Sequence, residues 1–225
     1  MITILAVDTT SEFGSIALRR NGENIAEIPL HSPDGFAHVI FGELDSMLTR
    51  AGLTLADVDC FASASGPGSF TGVRVGLTVV KGLAEAMGKP VVPVSNLRAL
   101  AAFGHTDRRA VILDARRGDV YAAVYDAGLR PHLPETVSKL STWLESLDAA
   151  RYEFITLAGS PFESALAGTR FADMAWTQAS RSLAPSIAEC AELDLAAGLA
   201  LPAVAADANY VRSSDAELFW ESKSK

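Results

Sequence analysis

The hydrophobic pattern along the chain is most extreme between Gly72 and Met87. The polar side chains of this stretch are Arg74, Thr78, Lys81 and Glu85, and the remaining positions carry Val, Leu, Ala, Met or Gly. Steps of four, three and four residues place these polar groups in one narrow stripe of a helix. A helix that is apolar over most of its circumference is buried on more than one side. We therefore expect one side to pack on the chain's own sheet and another to meet a second protein.

The first half of the chain alternates between strand and helix patterns. Asn21-Gly22 separates two short apolar runs and is a strong hairpin signal. Ser95 stands where it can cap a helix. The predicted strands cover 2–7, 14–19, 24–30, 58–64 and 90–94, and the predicted helices cover 36–51, 72–87 and 95–103.

The second half repeats this pattern. A buried strand ends at Asp114, as the first strand ends at Asp8, and a hairpin partner follows. The predicted strands cover 110–113, 120–125, a run after Gly128 and 154–158, and the predicted helices cover 140–147, 161–167 and 185–198. The pattern predicts an α/β protein of two lobes, residues 1–104 and 105–225. The segment 207–225 is mixed and polar; its expected anchors are Tyr210, Val211, Leu218, Phe219 and Trp220, and we expect 221–225 to be frayed.

Composition narrows the class of protein. Of 225 residues, 49% are apolar, which is enough for a large core and excludes wholesale disorder. The formal net charge is −8, which disfavours tight nucleic-acid binding by this chain alone. Cys60 and Cys190 form no CxxC pattern, which fits a reducing compartment. No run of about 18 apolar residues indicates a membrane span and no signal peptide is recognisable, so we expect a soluble, cytoplasmic protein.

The turn after the first strand, Asp8-Thr9-Thr10-Ser11, is one candidate site. A carboxylate followed by hydroxyl groups can hold a metal ion and phosphate oxygens. The alternative is a hairpin turn whose hydroxyl groups satisfy its own backbone. Asp114, at the matching place in the second half, favours the first interpretation, because two facing turns could hold a nucleotide phosphate between them.

Two other turns could bind anions. Ser65–Gly72 lacks the Gly-Lys-Ser/Thr ending of a P-loop, but its backbone N–H groups at a helix start could bind an anion. The alternative is a tight turn that lets the helix pack closely. Between Asp114 and Tyr121, Arg116 and Arg117 could bind phosphate or could belong to a solvated turn.

The four histidines, His31, His38, His105 and His132, show neither HxxxH nor HExxH spacing. A zinc or iron site built on one helix is therefore not expected. No GxSxG elbow is present either.

Three segments resemble the bacterial TsaB (YeaZ) family in order and spacing. They are ILAVDTTSEFGSIAL, SGPGSFTGVRVGL and LDARRGDVYAAVY, and ANYVRSSDAE resembles the family's closing segment with Val211 in place of Leu. The resemblance implies an actin/hexokinase-like (ASKHA) fold of two lobes, each a mixed sheet with flanking helices.

The same resemblance implies a role in placing threonylcarbamoyl on N6 of the adenosine 3′ of the anticodon, in tRNAs that read ANN codons. In that pathway TsaC makes threonylcarbamoyl-AMP, and TsaD transfers the group with a metal held by a histidine pair. TsaB lacks this pair and is the non-catalytic subunit that dimerises with TsaD. TsaE binds the pair of subunits, and isolated TsaB forms homodimers. TsaB contacts tRNA only through the complex.

The resemblance places the TsaD contact on helices 36–51 and 71–87. The interface residues expected from it are Phe36, Val39, Ile40, Glu43, Met47, Gly72, Val73, Gly76, Leu77 and Val80. Gly72 and Gly76, one turn apart, are interpreted as points of close helix–helix approach, and Arg74, Lys81 and Glu85 as a stripe facing water or an interface rim.

Two enzymatic hypotheses stand beside the scaffold. An ASKHA phosphotransferase or ATPase would use Asp8, Thr9, Thr10, Asp114 and Arg116 around ATP or ADP and Mg. A metalloprotease would need the metal-ligand pair that the sequence lacks. We expect no cofactor or metal of the chain's own, with nucleotide and Mg at most at the complex.

Overall fold

The computed structural model describes residues 1–211 of the chain, and these form two five-stranded mixed sheets. The first sheet contains β1 (Thr3–Asp8), β2 (Phe13–Arg20), β3 (Glu23–His31), β4 (Cys60–Gly66) and β5 (Val91–Ser95). The second contains β6 (Arg109–Asp114), β7 (Asp119–Tyr125), β8 (Pro131–Lys139), β9 (Glu153–Leu157) and β10 (Ala175–Ala179). The helices are α1 (Ile40–Arg50), α2 (Phe70–Met87), α3 (Asn96–Ala101), α4 (Leu140–Ser146), α5 (Phe162–Ala165) and α6 (Ala184–Ala196).

The two sheets have the same topology. The order is β3-β2-β1-β4-β5 in the first and β8-β7-β6-β9-β10 in the second, with an antiparallel meander followed by two parallel strands. At the first hairpin, Asn21 and Gly22 have φ values of 50° and 84°, as the predicted turn requires. The predicted repeat is thus confirmed at the level of strand order.

One strand was missing from the prediction. β10, AWTQA, shows neither a continuous apolar run nor a clean alternation, and its pattern of exposure is irregular. It pairs in parallel with β9 along its whole length, from Ala175 opposite Glu153 to Ala179 opposite Leu157. The strand is therefore defined by a tertiary partner and not by its own pattern.

The first helix begins four residues later than predicted, at Ile40. Phe36 is buried, and its ring lies where a methyl group on Gly14 would be, 2.7 Å from the ring carbon Cζ. The segment 36–39 forms a turn instead, in which the carbonyl of Phe36 accepts from Val39 N at 3.0 Å. The cap predicted for α3 is confirmed, because Ser95 Oγ accepts from the backbone N–H of Leu97.

The helix α6, the last one in residues 1–211, joins the lobes. Although α6 follows β10 in the chain, it packs on β1 and β2 of the first sheet. Ser15 Oγ accepts from Ala184 N at 2.9 Å, and Arg19 forms an ion pair with Glu192 at 2.7 Å. The buried core between the sheets includes residues of both halves, such as Ile4 and Ile155. The chain segment 105–225 therefore does not pack as a separate unit, and the division at residue 104 stays a prediction.

The segment after α6 also returns to the first lobe. Leu201 forms an antiparallel bridge with Val91 of β5, and Ala203 and Ala206 are buried there. The predictions for Leu218, Phe219, Trp220 and 221–225, and most of the ANYVRSSDAE motif, lie outside the described residues. In residues 1–211, no helix is long and apolar enough to cross a membrane.

Candidate functional site

The inner face of α2 lies against the first sheet through its glycines. A methyl group on Gly72 would lie 2.0 Å from the carbonyl oxygen of Thr9, and one on Gly76 would lie 2.7 Å from Thr9 Oγ1 and 2.9 Å from Ser63 Oγ. Real side chains do not tolerate such distances, so only glycine fits at these two positions. The interpretation of Gly72 and Gly76 as helix–helix contact points is wrong, because they face the chain's own strands.

This orientation changes the predicted interface. Seven of its ten residues are buried in the described chain: Phe36, Ile40, Met47, Val73, Gly76, Leu77 and Val80. These residues belong to the first lobe's own packing and are not available to a partner at the surface of this fold. Val39, Glu43 and Gly72 are half-buried. The outer face of the same two helices carries a different set of residues.

An open apolar groove runs between α1 and α2 on this outer face. Its volume is about 790 Å³. Phe41 and Phe70 leave 58% and 47% of their surface exposed beside it. The groove is lined by Ala37, Phe41, Phe70, Thr71, Arg74, Val75, Thr78, Val79, Gly82 and Leu83. Large exposed apolar patches on folded proteins mark interaction sites, so this groove is the candidate docking face.

The polar stripe of α2 does not face only water. Arg74 Nε donates to the hydroxyl of Tyr210 at 3.3 Å, and Lys81 Nζ donates to the carbonyl of Ala206 at 2.7 Å. The guanidinium of Arg74 lies 3.7 Å from the ring centre of Phe70, whose ring is 5.8 Å from that of Tyr210. Arg74 is exposed, as expected for this stripe, and Arg74 and Lys81 in addition hold the segment 206–210 along one edge of α2.

The polar side chains of the turn after β1 are hydrogen-bonded to other groups of the protein. Asp8 Oδ1 accepts from the N–H of Thr10 at 2.9 Å and from its hydroxyl at 2.7 Å, while Thr9 Oγ1 donates to the carbonyl of Gly72 at 2.7 Å. Burial raises the pKa of Asp8, and the two bonds from Thr10 oppose this rise. A methyl group on Gly68 would lie 2.7 Å from Thr10 Cβ, so protein atoms fill that side of the turn.

The matching turn of the second lobe is exposed. Asp114 Oδ1 accepts from Arg116 N at 2.8 Å, and Arg116 and Arg117 both have positive φ, 64° and 55°. Lys139 Nζ donates to the carbonyl of Arg117 and pairs with Asp119 at 2.7 Å. The described side-chain hydrogen bonds of Asp8 and Asp114 stay within their own turns, and the hypothesis that the two turns hold a phosphate between them stays a prediction.

A polar cluster that the sequence did not reveal lies where the lobes meet. Glu135 of β8 accepts hydrogen bonds from Ser95 Oγ, from the hydroxyl of Tyr125 at 2.6 Å and from Asn209 Nδ2 at 2.6 Å. Burial and then the charge of Glu135 raise the pKa of Tyr125. Residues from β5, β7, β8 and the C-terminal segment meet here, and no spacing along the chain could have indicated this.

Neighbouring polar groups at the junction are also paired with one another. Asn96 Nδ2 donates to Thr10 Oγ1 at 2.7 Å, and its Oδ1 accepts from Gly66 N at 3.0 Å. Within the described residues, no three His, Cys, Asp or Glu side chains come together as metal ligands. Of the histidines, His31 stacks on Phe13 with ring centres 4.7 Å apart.

Comparison with known proteins gives matching results at the levels of sequence and fold. Residues 28–205 match the family model described as TsaD, tRNA N6-adenosine threonylcarbamoyltransferase. The tRNA threonylcarbamoyladenosine biosynthesis protein TsaB of Bacillus subtilis (strain 168) is 37% identical over 151 residues, covering 65% of this chain and 66% of that protein. The TsaB protein of Haemophilus influenzae (strain ATCC 51907 / DSM 11121 / KW20 / Rd) is 41% identical over 126 residues, 53% of this chain and 52% of that protein.

The solved structure of YeaZ from Pseudomonas aeruginosa superimposes with a TM-score of 0.75 at 28% identity, over 93% of this chain and 100% of that one. In sequence, the match spans about half to two thirds of the length of the curated relatives.

The two lobes contain sheets with the same strand order, which defines a protein of the actin/hexokinase-like class. Within that class, the TsaD family model matches residues 28–205, which shows the broader family. The similarity to TsaB proteins and to YeaZ shows the subfamily within it. The chain belongs to the TsaB (YeaZ) family.

Proposed function

We propose that this chain is a non-catalytic scaffold subunit in the transfer of threonylcarbamoyl to N6 of the tRNA adenosine 3′ of the anticodon, and that it binds a TsaD-type transferase. The observation that carries this proposal is the open apolar groove between α1 and α2. The names of the TsaB relatives, which state a part in tRNA threonylcarbamoyladenosine biosynthesis, support the pathway.

The groove has the features of a binding site for a protein. Energetically dominant interface residues are enriched in aromatic side chains and Arg at the centre of a patch. Phe41 and Phe70 offer two exposed aromatic rings, and Arg74 stacks on one of them. Gly82 has no side chain and that of Thr78 is small. An apolar helix or loop of a partner can therefore approach the backbone of α2 in the groove.

The polar side chains where the two lobes meet are hydrogen-bonded within the chain, which favours a scaffold over an enzyme. Asp8 is buried and bonded to Thr10, and Glu135 is occupied by three donors of the chain itself. These internal hydrogen bonds support the view that the junction does not serve as a nucleotide site of this chain alone. We place the transfer chemistry, and any ATP or ADP with Mg, at the partner or at the assembled complex.

The remaining parts of the proposal rest on the chain's charge and on its resemblance to the TsaB family. With a net charge of −8, the chain meets tRNA only through the complex. TsaE joins the pair, two copies of this chain associate when the transferase is missing, and the complex works in the cytoplasm.

The decisive experiment titrates the TsaD-type transferase of the same organism with Phe41→Glu. A charge in an apolar contact is costly, so we expect a loss of affinity of about 30-fold or more by isothermal titration calorimetry. The matched control is Ile25→Glu, because Ile25 is also exposed, at 43%, but lies on β3. Wild-type affinity of Phe41→Glu, with the control unchanged, would exclude the groove as the interface.

Two of the interface residues expected from the resemblance do not suit this test. Leu77 and Val80 are 6% and 0% exposed, so Leu77→Glu or Val80→Arg would disrupt the core and not only the interface.

A separate assay addresses the enzymatic alternative. Asp8→Asn keeps an acceptor toward Thr10 while removing the carboxylate. ATP turnover by the purified chain that disappears in Asp8→Asn would overturn the scaffold proposal. The proposal expects no turnover that depends on Asp8.

A further inference from the structure

Residues 201–210, which we call the strap, run along the first lobe after α6. The backbones of Leu201 and Val91 exchange two hydrogen bonds of 2.8 Å each. Ala206 is buried in the core of this lobe, and its carbonyl accepts from Lys81 Nζ of α2 at 2.7 Å. Backbone pairing and packing therefore fix the first part of the strap on β5 and α2.

Asn209 contacts both lobes. Its backbone N–H donates to the carbonyl of Ser65 near the end of β4 at 2.7 Å, and its side-chain Nδ2 donates to Glu135 of β8 at 2.6 Å. A methyl group on Gly66 would lie 3.2 Å from the carbonyl oxygen of Asn209, so the strap lies close to the turn that precedes α2. Since a hydrogen bond to a carboxylate is stronger than one between neutral groups, this side chain ties the strap to the second lobe.

Tyr210, the next residue, contacts the wall of the groove. Its ring centre lies 5.8 Å from that of Phe70, and its hydroxyl accepts from Arg74 Nε at 3.3 Å. The guanidinium of Arg74 lies 3.7 Å from the ring centre of Phe70, and both residues line the groove. Tyr210 leaves 49% of its surface exposed, so these contacts and the neighbouring Asn209 determine where its ring lies.

The contact with the second lobe and the contact with the groove are thus one residue apart. Consecutive Cα atoms are about 3.8 Å apart, so Asn209 cannot shift without moving Tyr210. When the second lobe turns relative to the first, Glu135 either carries Asn209 with it or loses the hydrogen bond. Either change leaves Tyr210 less firmly held against Phe70 and Arg74.

We propose that Glu135 and Asn209 are positioning residues for the groove: their hydrogen bond holds Tyr210 against Phe70 and Arg74 and so couples the arrangement of the two lobes to partner binding. The positioning of Tyr210 does not depend on the proposed function, whereas its effect on binding rests on it. Coupling between two sites is reciprocal. A change that separates the lobes at Glu135 therefore weakens partner binding, and a bound partner strengthens the lobe contact by the same factor.

The first test observes Tyr210 in the chain without a partner. The chain contains four tyrosines, so labelling with fluorotyrosine gives a simple fluorine NMR spectrum, and Tyr210→Phe assigns the resonance of residue 210. We expect Asn209→Ala and Glu135→Ala to move this resonance toward its value in the urea-unfolded chain. Glu135→Ala changes no residue next to Tyr210 in the sequence, so its effect must pass through the hydrogen bond.

The matched control for this test is Asn24→Ala, which removes an exposed side chain of the same kind on β3. It should leave the Tyr210 resonance in place. An unmoved resonance in either folded variant, Asn209→Ala or Glu135→Ala, would overturn the positioning of Tyr210.

The second test measures affinity for the TsaD-type transferase by isothermal titration calorimetry. Asn209→Ala should weaken binding about fivefold or more, as expected for coupled sites, and Asn24→Ala should bind like the native chain. In a Tyr210→Ala background, Asn209→Ala should cause no further loss, because the residue that connects it to the groove is gone. A merely structural role of Asn209 would weaken binding equally in both backgrounds, and that result would overturn the coupling.

Phe41→Glu separates this inference from the proposed function. A moved Tyr210 resonance together with full binding by Phe41→Glu would support the positioning and remove the groove as the interface. Impaired binding by Phe41→Glu with native affinity of Asn209→Ala would keep the interface and overturn the coupling.

Discussion

Thr9 and Gly72 touch through their backbones. Thr9 Oγ1 donates to the carbonyl of Gly72 at 2.7 Å, and a methyl group on Gly72 would lie 2.0 Å from the carbonyl oxygen of Thr9. The Thr9 side chain thereby joins the end of β1 to the first turn of α2, and no space is left for a side chain on Gly72. This contact determines how α2 is rotated and which of its faces is left outside.

We predict that Gly72→Ala destabilises the chain. The new methyl group meets backbone, which cannot move aside without shifting β1 or α2, and such overpacking costs about 1–3 kcal/mol or more. Urea unfolding followed by circular dichroism measures the change.

Gly82→Ala is the matched control on the same helix, since nothing lies within 4 Å of a methyl group there. We expect it to stabilise the chain by about 0.5–1 kcal/mol through helix propensity. Similar effects of the two substitutions would contradict the close contact with Thr9.

The Glu135 cluster should behave as a coupled unit. Glu135→Ala leaves the buried hydroxyl of Tyr125 without its acceptor, which costs about 1–3 kcal/mol. In a Tyr125→Phe background this penalty is absent, so the same substitution should cost measurably less. A double-mutant cycle by thermal or urea unfolding gives the coupling energy, and additive effects would exclude the coupling.

Acid should weaken a contact on the surface of the second lobe. The hydroxyl of Tyr152, then the N–H of Ala150 and the side chain of Arg108, lower the pKa of Asp148 from 3.8 to about 2. A carboxyl whose pKa is depressed on folding stabilises the fold above its unfolded pKa, and this contribution is lost as pH falls from about 4 to about 2.

Asp148→Asn should therefore remove part of the pH dependence of the unfolding free energy in this window, and Tyr152→Phe should reduce it. Urea titrations at several pH values check both. An unchanged acid slope in Asp148→Asn would refute the assignment.

Neither native thiol should react in the folded chain. Burial raises the pKa of Cys60 and Cys190 to about 12, so almost no thiolate is present at neutral pH. Ellman's reagent should label both thiols only after unfolding in urea. Labelling of either thiol within minutes in the native chain would show that its site opens.

The order of elements was readable from sequence because local signals decide it. Asn21-Gly22 predicted the first hairpin and Ser95 the cap of α3. The apolar runs, with the turn at Gly128, predicted nine of the ten strands found in residues 1–211. The duplicated strand-Asp-turn pattern at Asp8 and Asp114 predicted the two lobes, and the shared strand order confirms it. Each of these signals lies within a few residues of the feature it predicts.

Other features depend on residues far apart in the chain. β10 exists because β9 pairs with it, and the late start of α1 follows from the burial of Phe36 against Gly14. The Glu135 cluster joins Ser95 to Asn209, and α6 returns to Ser15. Local periodicity carries no information on such partners.

The sequence by itself determined that α2 is too apolar to be covered by one sheet alone. It could not determine which apolar face turns inward, because the one polar stripe of the helix is narrow and has apolar residues on both of its sides. Tertiary structure decided this through backbone contact, since Gly72 and Gly76 let α2 approach Thr9 and Ser63 more closely than any residue with a Cβ allows. Phe70 and Val75 consequently line the outer groove, and Leu77 and Val80 belong to the core.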